Sequence, residues 1–343
     1  MSGRTLVVAP NWVGDCVMAE PVIAALAASG REVVMLAKPG LTPLFALFPG
    51  VQGTLARLAD ERATVAAIRA AACDEALVLP NSFRSAWLVR RAGIPRRHGY
   101  RGDLRDLLLA PATRRPAARP PRPQIADYAE LLAAMGVAAP ASWIPRLRPT
   151  PALAAQGRER LARARLEPGA GPLVALFPGA EFGPSKRWPW ERFAALATGL
   201  RRRIPRVQPL IVAGPKEVWT AVRVHEASGK IHPVLGPDLD LALLAGVLSH
   251  LDLLVTNDSG PMHLAAALGV PCVALFGPTD PRRTAPAGAG HRVLSTARWC
   301  SPCFRRRCPL LHHRCLRDLT VDQVAAACGA ALGGEAPASG TGQ

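Results

Sequence analysis

Short apolar runs alternate with longer helical segments along most of the chain. Near-continuous apolar runs are typical of strands buried on both faces of a sheet, and they predict strands at residues 4–10, 32–38, 75–80, 173–178, 208–214, 252–257, 272–277 and 291–295. Segments with helical spacing lie between them, for example at 15–29, 190–203 and 239–248. The alternation predicts an α/β fold in which helices flank parallel sheets.

The pattern pauses between about residues 111 and 172. A Pro/Arg stretch at 114–123 is incompatible with a regular helix or a central strand, and it is either a solvated loop or a basic loop facing lipid or substrate. We therefore predict two α/β domains, at 1–145 and 172–325, a linker at 146–171 and a disordered tail at 334–343. Two doubly wound domains facing a central cleft would bind ligands beyond their strand ends.

The chain is strongly basic, with 42 Lys and Arg against 25 Asp and Glu and a net charge of +17. Lysine occurs at only four positions, so the excess is arginine, which a GC-rich coding bias produces as readily as a phosphate-binding surface does. No apolar run reaches the roughly 18 residues of a membrane-spanning helix, and the apolar N-terminal run is too short for a signal peptide. These features predict a cytoplasmic protein.

The first motif with chemical potential follows the first predicted strand and reads PNWVGD. Glycine at the turn and an acid near the helix start are typical of a strand–turn–helix junction. Asp15 is then either a helix-capping or first-turn acid, or a general base at the mouth of a cleft that takes a proton from an acceptor hydroxyl.

The second motif follows the first strand of the second domain and reads FPGAEFGPSKRWP. Its glycine-rich loop brings Lys186 and Arg187 to a strand end, where a basic pair suits a diphosphate. Solvated charge is the alternative. The loop lacks the spacing of a Walker A sequence.

The third motif, TNDSGPMH, lies where another predicted strand gives way to a helix. Gly260 permits close backbone approach, and the N–H groups at a helix start form an anion site. His263 lies about one turn into that helix, either packed in the interior or in contact with a ligand.

Together these motifs resemble glycosyltransferase family 9, the bacterial heptosyltransferases, and most of all its type II branch. The resemblance also rests on LPNSFRSA with AGIPRRHGYRGDLR in the first half, and on NDSGPMHLAAALGVPCVALFGPTDP in the second. It covers most of residues 5–325 in order. It implies a GT-B fold, that is, two Rossmann-like domains with the active site between them.

The resemblance implies an inverting transfer of L-glycero-D-manno-heptose from ADP-heptose to the first heptose of the lipopolysaccharide inner core on Kdo–lipid A. No cofactor and no catalytic metal are implied, and the enzyme would attach peripherally to the cytoplasmic leaflet of the inner membrane. Alternatives are a family 9 enzyme with another acceptor (type I or III), a non-catalytic sugar-nucleotide binder and a nucleic-acid-binding protein. Aromatic residues are only 5% of the chain and no nucleic-acid-binding module appears, which argues against the last.

The resemblance also assigns site residues. Asp15 matches the proposed base, and Lys186 matches a lysine on the donor phosphates. The residues expected to bind the nucleotide sugar are Gly14, Gly179, Lys186, Arg187, Glu217, Asp258, Ser259, Gly260 and His263. Those expected to bind the anionic acceptor are Asn11, Asn81, Ser82, Arg84, Arg97, Tyr100 and Arg101.

Two further patterns lie outside these motifs. Four cysteines, Cys300, Cys303, Cys308 and Cys315, fall within one short segment. They are reduced structural thiols, ligands of a structural Zn²⁺ or disulfide partners, and their spacing differs from a standard pair of CxxC knuckles. The sequence Asp238-Leu239-Asp240 spells the DxD of some metal-dependent glycosyltransferases, but it opens a predicted helix, which favours capping.

Overall fold

The computed structural model describes residues 3–114 and 123–333. The chain divides into two compact units, Met1–Arg148 and Pro149–Gln343. Most of the Pro/Arg stretch and the whole predicted tail at 334–343 lie outside the described residues.

The first unit contains one parallel sheet. Its strands in chain order are β1 (Arg4–Val8), β2 (Glu32–Ala37), β3 (Val51–Ala56), β4 (Glu75–Val78), β5 (Arg96–Tyr100) and β6 (Ala112–Thr113). They are arranged β3-β2-β1-β4-β5-β6. Its α-helices are α1 (Val13–Met18), α2 (Glu20–Ala28), α3 (Glu61–Ala70), α4 (Phe83–Arg91) and α5 (Ala129–Ala134).

The second unit repeats this plan. Its strands are β7 (Leu173–Phe177), β8 (Gln208–Val212), β9 (Val234–Leu235), β10 (Leu253–Asn257), β11 (Cys272–Phe276) and β12 (Arg292–Ser295), in the order β12-β11-β10-β7-β8-β9. Its helices are α6 (Pro151–Arg163), α7 (Trp190–Arg203), α8 (Val218–Ala227), α9 (Leu241–Leu248), α10 (Gly260–Ala267), α11 (Pro281–Thr284), α12 (Arg314–Arg317) and α13 (Val321–Ala331).

Both sheets have the doubly wound order in which the first strand of the unit lies beside the fourth. Strand order reverses between β1 and β4 in the first unit and between β7 and β10 in the second. Ligands of such sheets bind beyond the strand ends at this switch point. The motifs that follow β1, β4, β7 and β10 therefore lie where the topology favours binding.

Each sheet is covered by its own apolar core. In the first unit, strand residues such as Leu6 and Val78 pack with Ile68 of α3 and Val89 of α4. In the second, Trp188 and Phe193 pack edge to face, with ring centroids 4.9 Å apart, inside a cluster that reaches α13. Buried positions that recur every three to four residues on the helices, with nearly complete burial of the central strands, explain why these apolar runs specify a three-layer structure.

The fold confirms the predicted α/β class with two Rossmann-like parallel sheets. Each predicted strand is present. The sequence analysis missed β3, β5, β6 and β9 because two of them have only two residues each and the others carry polar residues, as in VQGTLA and RRHGY. Within the described residues, no helix combines the length and apolarity needed to cross a bilayer.

The region 146–171 differs from the linker that we predicted. It contains the 13-residue helix α6, which Thr150 caps and which packs against α9 inside the second unit. The helices cross at glycines: a Cβ on Gly157 would lie 2.2 Å from the backbone of Gly246. Proline-rich flanks suggested an open connection, but the Ala- and Leu-containing stretch between them supplies a packed helix face.

Candidate active site

Asp15 lies in the first turn of α1, directly after β1. The N-cap of this helix is Trp12, which makes no side-chain cap, so Asp15 is a first-turn acid rather than the capping residue. Its carboxylate is half-buried, and its Oδ1 accepts a hydrogen bond of 2.9 Å from the amide of Gln124. Burial, with the charge of Asp15 as the next contribution, raises the pKa of Tyr128. A partly exposed, oriented carboxylate of this kind is suited to accepting a proton.

Two cations that the sequence analysis missed lie beside this loop. The side chain of Asn11 accepts a hydrogen bond of 3.1 Å from Arg57, and Lys38 lies 3.5 Å from the Asn11 carbonyl oxygen and 5.9 Å from the ring centre of Trp12. Burial lowers the pKa of Arg57, with a smaller contribution from the charge of Arg84. Lys38 and Arg57 directly follow β2 and β3, so their strand-end position was the signal that could have identified them.

The side chains that follow β4 bond to groups on α3, on α4 and in the loop after β5. Asn81 Oδ1 accepts from Arg105 at 3.3 Å, and the Ser82 hydroxyl caps α4 by accepting from the Ser85 N–H. Arg84 is exposed and pairs with Glu61 at 2.7 Å. Of these predicted acceptor residues, Arg84 presents an accessible charge, whereas Ser82 is engaged in capping.

Three other predicted acceptor residues lie on β5 or just after it, and two of them are internal. Arg97 is buried and donates to the carbonyl oxygens of Ile94, Pro95 and Leu108 at 2.5–2.7 Å. Tyr100 is also buried and donates to the carbonyl oxygen of Asp127.

These bonds tie the side chains of Arg97 and Tyr100 to backbone carbonyl oxygens of the first unit. The two residues therefore stabilise this unit, in contrast to the acceptor contacts that we expected from them. Arg101 remains exposed and pairs with Asp106 at 3.2 Å. Arg105, absent from the predicted set, is fully buried and donates to the carbonyl oxygens of Tyr100 and Pro80.

The second unit brings Lys186 and Asp258 together at its switch point. Lys186 Nζ lies 2.6 Å from Asp258 Oδ2, and both side chains are largely enclosed, with 13% and 5% exposure. The same carboxylate oxygen accepts a hydrogen bond of 2.6 Å from Thr279. The lysine ammonium also lies 4.9 Å from the ring centre of Phe182. The arrangement fixes one cation at the strand ends, with Asp258 as its positioning partner.

Asn257 ties the loop that carries Lys186 to the sheet. Its amide donates to the carbonyl oxygens of Pro178 and Gly179 at 3.0 and 3.1 Å, and its Oδ1 accepts from the Trp188 N–H at 2.9 Å. Asn257 is fully buried at the end of β10. These three bonds hold both ends of the loop at residues 178–188, which we call the lysine loop, and Asn257 is absent from the predicted site residues.

One side of the lysine loop is shaped by Gly179, Arg187 and Glu217. Arg187 donates to the Ala180 carbonyl oxygen at 3.2–3.3 Å, which fastens the loop from within. A Cβ on Gly179 would lie 2.3 Å from Glu217 Cγ, so only glycine allows this approach. Burial, with a smaller contribution from Glu181, raises the pKa of Glu217.

The start of α10 lies directly after Asp258. Ser259 is the N-cap residue, its hydroxyl is 3.0 Å from the Thr256 hydroxyl, and Gly260 is the first helical residue. His263 is buried, and burial lowers its pKa to about 4, although the Asp258 charge acts in the opposite direction. A neutral imidazole, a lysine and the N-terminal N–H groups of a helix together suit a phosphate.

The segment between β12 and α12 forms a further wall of this site. We call residues 296–313 the cysteine segment. Ser185 binds it twice, since its N–H donates to the Arg306 carbonyl oxygen at 3.3 Å and its hydroxyl to that of Arg305 at 2.5 Å. The Arg306 guanidinium lies 5.6 Å from the ring centre of Phe182, the ring that Lys186 also contacts. Neither Phe182 nor Arg306 was predicted as a site residue.

The acids of the DxD sequence are structural. Asp240 caps α9 by accepting from the Leu243 N–H at 2.8 Å, and Asp238 pairs with Arg160 at 2.6 Å. This supports the capping interpretation over a metal site.

Two Rossmann-type parallel sheets in series are the architecture of a GT-B glycosyltransferase, and Lys186 and the start of α10 lie at the switch point of the second sheet. The chain belongs to glycosyltransferase family 9, the heptosyltransferases, whose sequence model matches residues 62–313.

Several proteins that this chain resembles are named heptosyltransferases. The chain is 30% identical to lipopolysaccharide heptosyltransferase 2 of Salmonella typhimurium, over 94% of this chain and 96% of that protein. It superposes on the structure of E. coli ADP-heptose lps heptosyltransferase II with a TM-score of 0.81 at 29% identity, covering 96% of this chain and 98% of that one. Lipopolysaccharide heptosyltransferase 1 of Pseudomonas aeruginosa is 34% identical, over 48% of this chain and 46% of that protein.

Proposed function

We propose that the protein transfers L-glycero-D-manno-heptose from ADP-heptose to the first heptose of the lipopolysaccharide inner core, with inversion at the anomeric carbon. The observation that carries the proposal is the enclosed Lys186–Asp258–Thr279 cluster beside the start of α10. Similarity over nearly the whole chain to a relative named heptosyltransferase 2, against under half for one named heptosyltransferase 1, supports the type II acceptor.

In the proposed reaction, Asp15 removes the proton from an acceptor hydroxyl as its oxygen attacks the anomeric carbon of the donor. The bond from that carbon to the β-phosphate oxygen breaks, and ADP leaves with the bonding electrons. Lys186 and the N–H groups at the start of α10 stabilise the charge that develops on the leaving diphosphate. His263 is neutral near pH 7, so it contributes a hydrogen bond rather than a charge. We propose that these groups supply enough stabilisation for transfer without a metal ion.

The test is transfer from ADP-heptose to a core acceptor with one heptose, compared with a bare Kdo acceptor. Wild type, Asp15→Asn and a control, Asp322→Asn, are assayed with and without EDTA. Asp322 is also a first-turn acid, at the start of α13, but it is exposed and pairs with Arg203 at 2.5 Å.

We expect turnover on the one-heptose acceptor only, unchanged by EDTA and by the control substitution. Loss of a general base costs about 10²–10⁴-fold, so Asp15→Asn should lose that much activity while still binding ADP. Turnover on the bare Kdo acceptor would indicate type I activity. Normal ADP binding with no turnover on either acceptor would indicate a different substrate, or a non-catalytic sugar-nucleotide binder.

We also propose that the first unit docks on an anionic membrane surface. Leu104 and Leu107 are 90% and 89% exposed, in a turn beside the exposed Arg101. Apolar tips next to basic residues favour an anionic bilayer surface, and the net charge of +17 acts in the same direction. Sedimentation with anionic vesicles should exceed that with zwitterionic vesicles, and replacing both leucines with serine should reduce it. Equal sedimentation with both vesicle types would refute this docking.

A further inference from the structure

The cysteines of the chain fall into two groups in the structure. Cys16, Cys73, Cys272 and Cys328 are buried in the apolar interior. The other group, which we call the thiol cluster, is half-exposed and consists of Cys300, Cys303, Cys308 and Cys315. All four residues of the thiol cluster border one cavity of about 20 Å³, and His312, His313 and Ser185 also line it. This volume is room for about one water-sized sphere.

Hydrogen bonds to Ser185, Gly277 and Pro278 attach the cysteine segment to its surroundings, but the segment has no regular secondary structure of its own. Its large apolar side chains point outward: Trp299 is 89% exposed and Leu311 is 83% exposed. A segment that cannot bury its own apolar residues needs another source of order, and small units of this kind use disulfides or a metal. All four thiols are free in the structure, so reduced structural thiols and ligands of a metal ion are the two interpretations to distinguish.

The chemistry of the thiol cluster favours zinc. Four cysteine sulfurs are a complete tetrahedral ligand set for Zn²⁺, and closed sites of this type are structural. Binding converts the thiols to thiolates and releases their protons, and four thiolates around one Zn²⁺ leave a net negative charge. Arg305, Arg306 and Arg307 lie within the same segment and compensate that charge.

Ligation requires the thiols to turn toward the cavity. Among the described residues, no three His, Cys, Asp or Glu side chains already form a group that could hold a metal. A cysteine side chain has a single χ1 torsion, so a rotamer change moves the sulfur without moving the backbone. The backbone is already tied down, because Cys303 and Phe304 both donate to the Pro278 carbonyl oxygen, at 3.0 and 2.8 Å.

We propose that Cys300, Cys303, Cys308 and Cys315 bind one structural Zn²⁺ that fixes the cysteine segment against the lysine loop. The ion thereby positions Arg306 over Phe182, on the same ring as Lys186. This second consequence rests on the proposed function, because it makes Arg306 a positioning residue for donor binding.

The first test is the metal content of the full chain purified without chelators. We expect one zinc per chain in the wild type and in the control Cys73→Ser, and a loss of at least four fifths of the zinc in Cys303→Ser and Cys308→Ser. Because a variant can lose zinc by unfolding, wild-type protein is also treated with a mercurial, and the zinc released is compared with the thiols blocked. Substitution with Co²⁺ should give the absorption of a tetrahedral thiolate site. Less than 0.2 zinc per chain, iron in its place, or two disulfides in the thiol cluster would overturn the proposal.

The second test separates the metal site from the donor site. The contact of Arg306 with the Phe182 ring is a cation–π contact, whose loss corresponds to roughly a twofold to thirtyfold change, so zinc-free protein and Arg306→Gln should each bind ADP about that much more weakly. Arg306→Gln should keep its full zinc content. Unchanged ADP affinity in both would refute the positioning role of the ion. Zinc-loaded wild type that fails to bind ADP at all would contradict the proposed function and leave the metal site standing.

Discussion

Replacing Lys186 with methionine tests how the second unit handles the donor phosphates. The substitution keeps roughly the length of the side chain, and it removes the ammonium group together with its contact with the Phe182 ring. It also leaves the Asp258 carboxylate, which is only 5% exposed, without the cation 2.6 Å away. A buried carboxylate would then face the incoming diphosphate, so the variant loses an attraction and gains a repulsion.

The structure sets the expected magnitudes. A lost charge-assisted hydrogen bond costs about 1.5–3 kcal/mol, and a lost donor to a developing oxyanion about 2.7–4 kcal/mol. We therefore expect Kd for ADP to rise about tenfold to a hundredfold, and kcat/KM to fall about 10²–10³-fold. Asp258→Asn alone removes the positioning partner but keeps the cation, so its loss should be smaller, about tenfold.

The double variant gives the sharper result. Because Asp258→Asn removes the repulsion that Lys186→Met creates, the loss of activity in the double variant should be smaller than the sum of the two single losses, by a coupling energy of about 0.5–3 kcal/mol. Coupled detection of ADP release measures kcat/KM, and calorimetry measures ADP binding. Lys216→Met is the control, because Lys216 is an exposed lysine that pairs with Glu181 in the same unit. More than a third of wild-type kcat/KM in Lys186→Met, or additive losses in the double variant, would refute the reasoning.

Three further predictions follow from buried or oriented groups. Gln124→Leu should lower kcat more than it changes Kd for ADP, because it removes one hydrogen bond that orients the Asp15 carboxylate and leaves the second unit unchanged. Equal effects on both would count against Asp15 as the base. Arg105→Met should lower the free energy of unfolding in urea by about 3 kcal/mol, because buried carbonyl oxygens lose their donor. Arg101 is exposed, so the control Arg101→Met should change stability by under about 0.5 kcal/mol. Similar losses in the two variants would contradict this reasoning. His263 has a pKa of about 4 when folded and about 6.5 when unfolded, so its contribution to the free energy of unfolding is complete above pH 6.5 and falls between pH 6.5 and 4 by up to about 1.4 kcal/mol per pH unit. His263→Gln should flatten the dependence of stability on pH in this range. An unchanged slope would refute the assignment.

The sequence predicted the fold better than it predicted side-chain orientation. The central strands are apolar on both faces, so their runs were readable, as in LVALF of β7. Edge strands carry the polar residues of partly exposed positions, and β3 was missed for that reason. Pattern analysis also placed the lysine loop and the start of α10 at strand ends, because parallel topology requires ligands there.

Side-chain roles depend on contacts that no local pattern encodes. Arg97 and Arg101 stand four residues apart in the same basic stretch, yet the first is buried among carbonyl oxygens and the second is exposed. The Lys186–Asp258 pair joins residues that are 72 positions apart, so the sequence offered the two groups but not their contact. Arg306 was treated as part of a charge run and lies against the Phe182 ring in the structure.

The passage of the chain from the first unit to the second is very short. The Arg148 N–H still bonds to the Leu47 carbonyl oxygen at 3.0 Å, and Thr150 already caps α6. The intervening sequence is Arg148-Pro149-Thr150-Pro151, in which each proline fixes its own φ and restricts the residue before it. Few freely rotating backbone torsions are therefore left in this connection, so the connection itself is stiff. Replacing Pro149 with glycine would make this connection more flexible while leaving the chemical groups of both units in place.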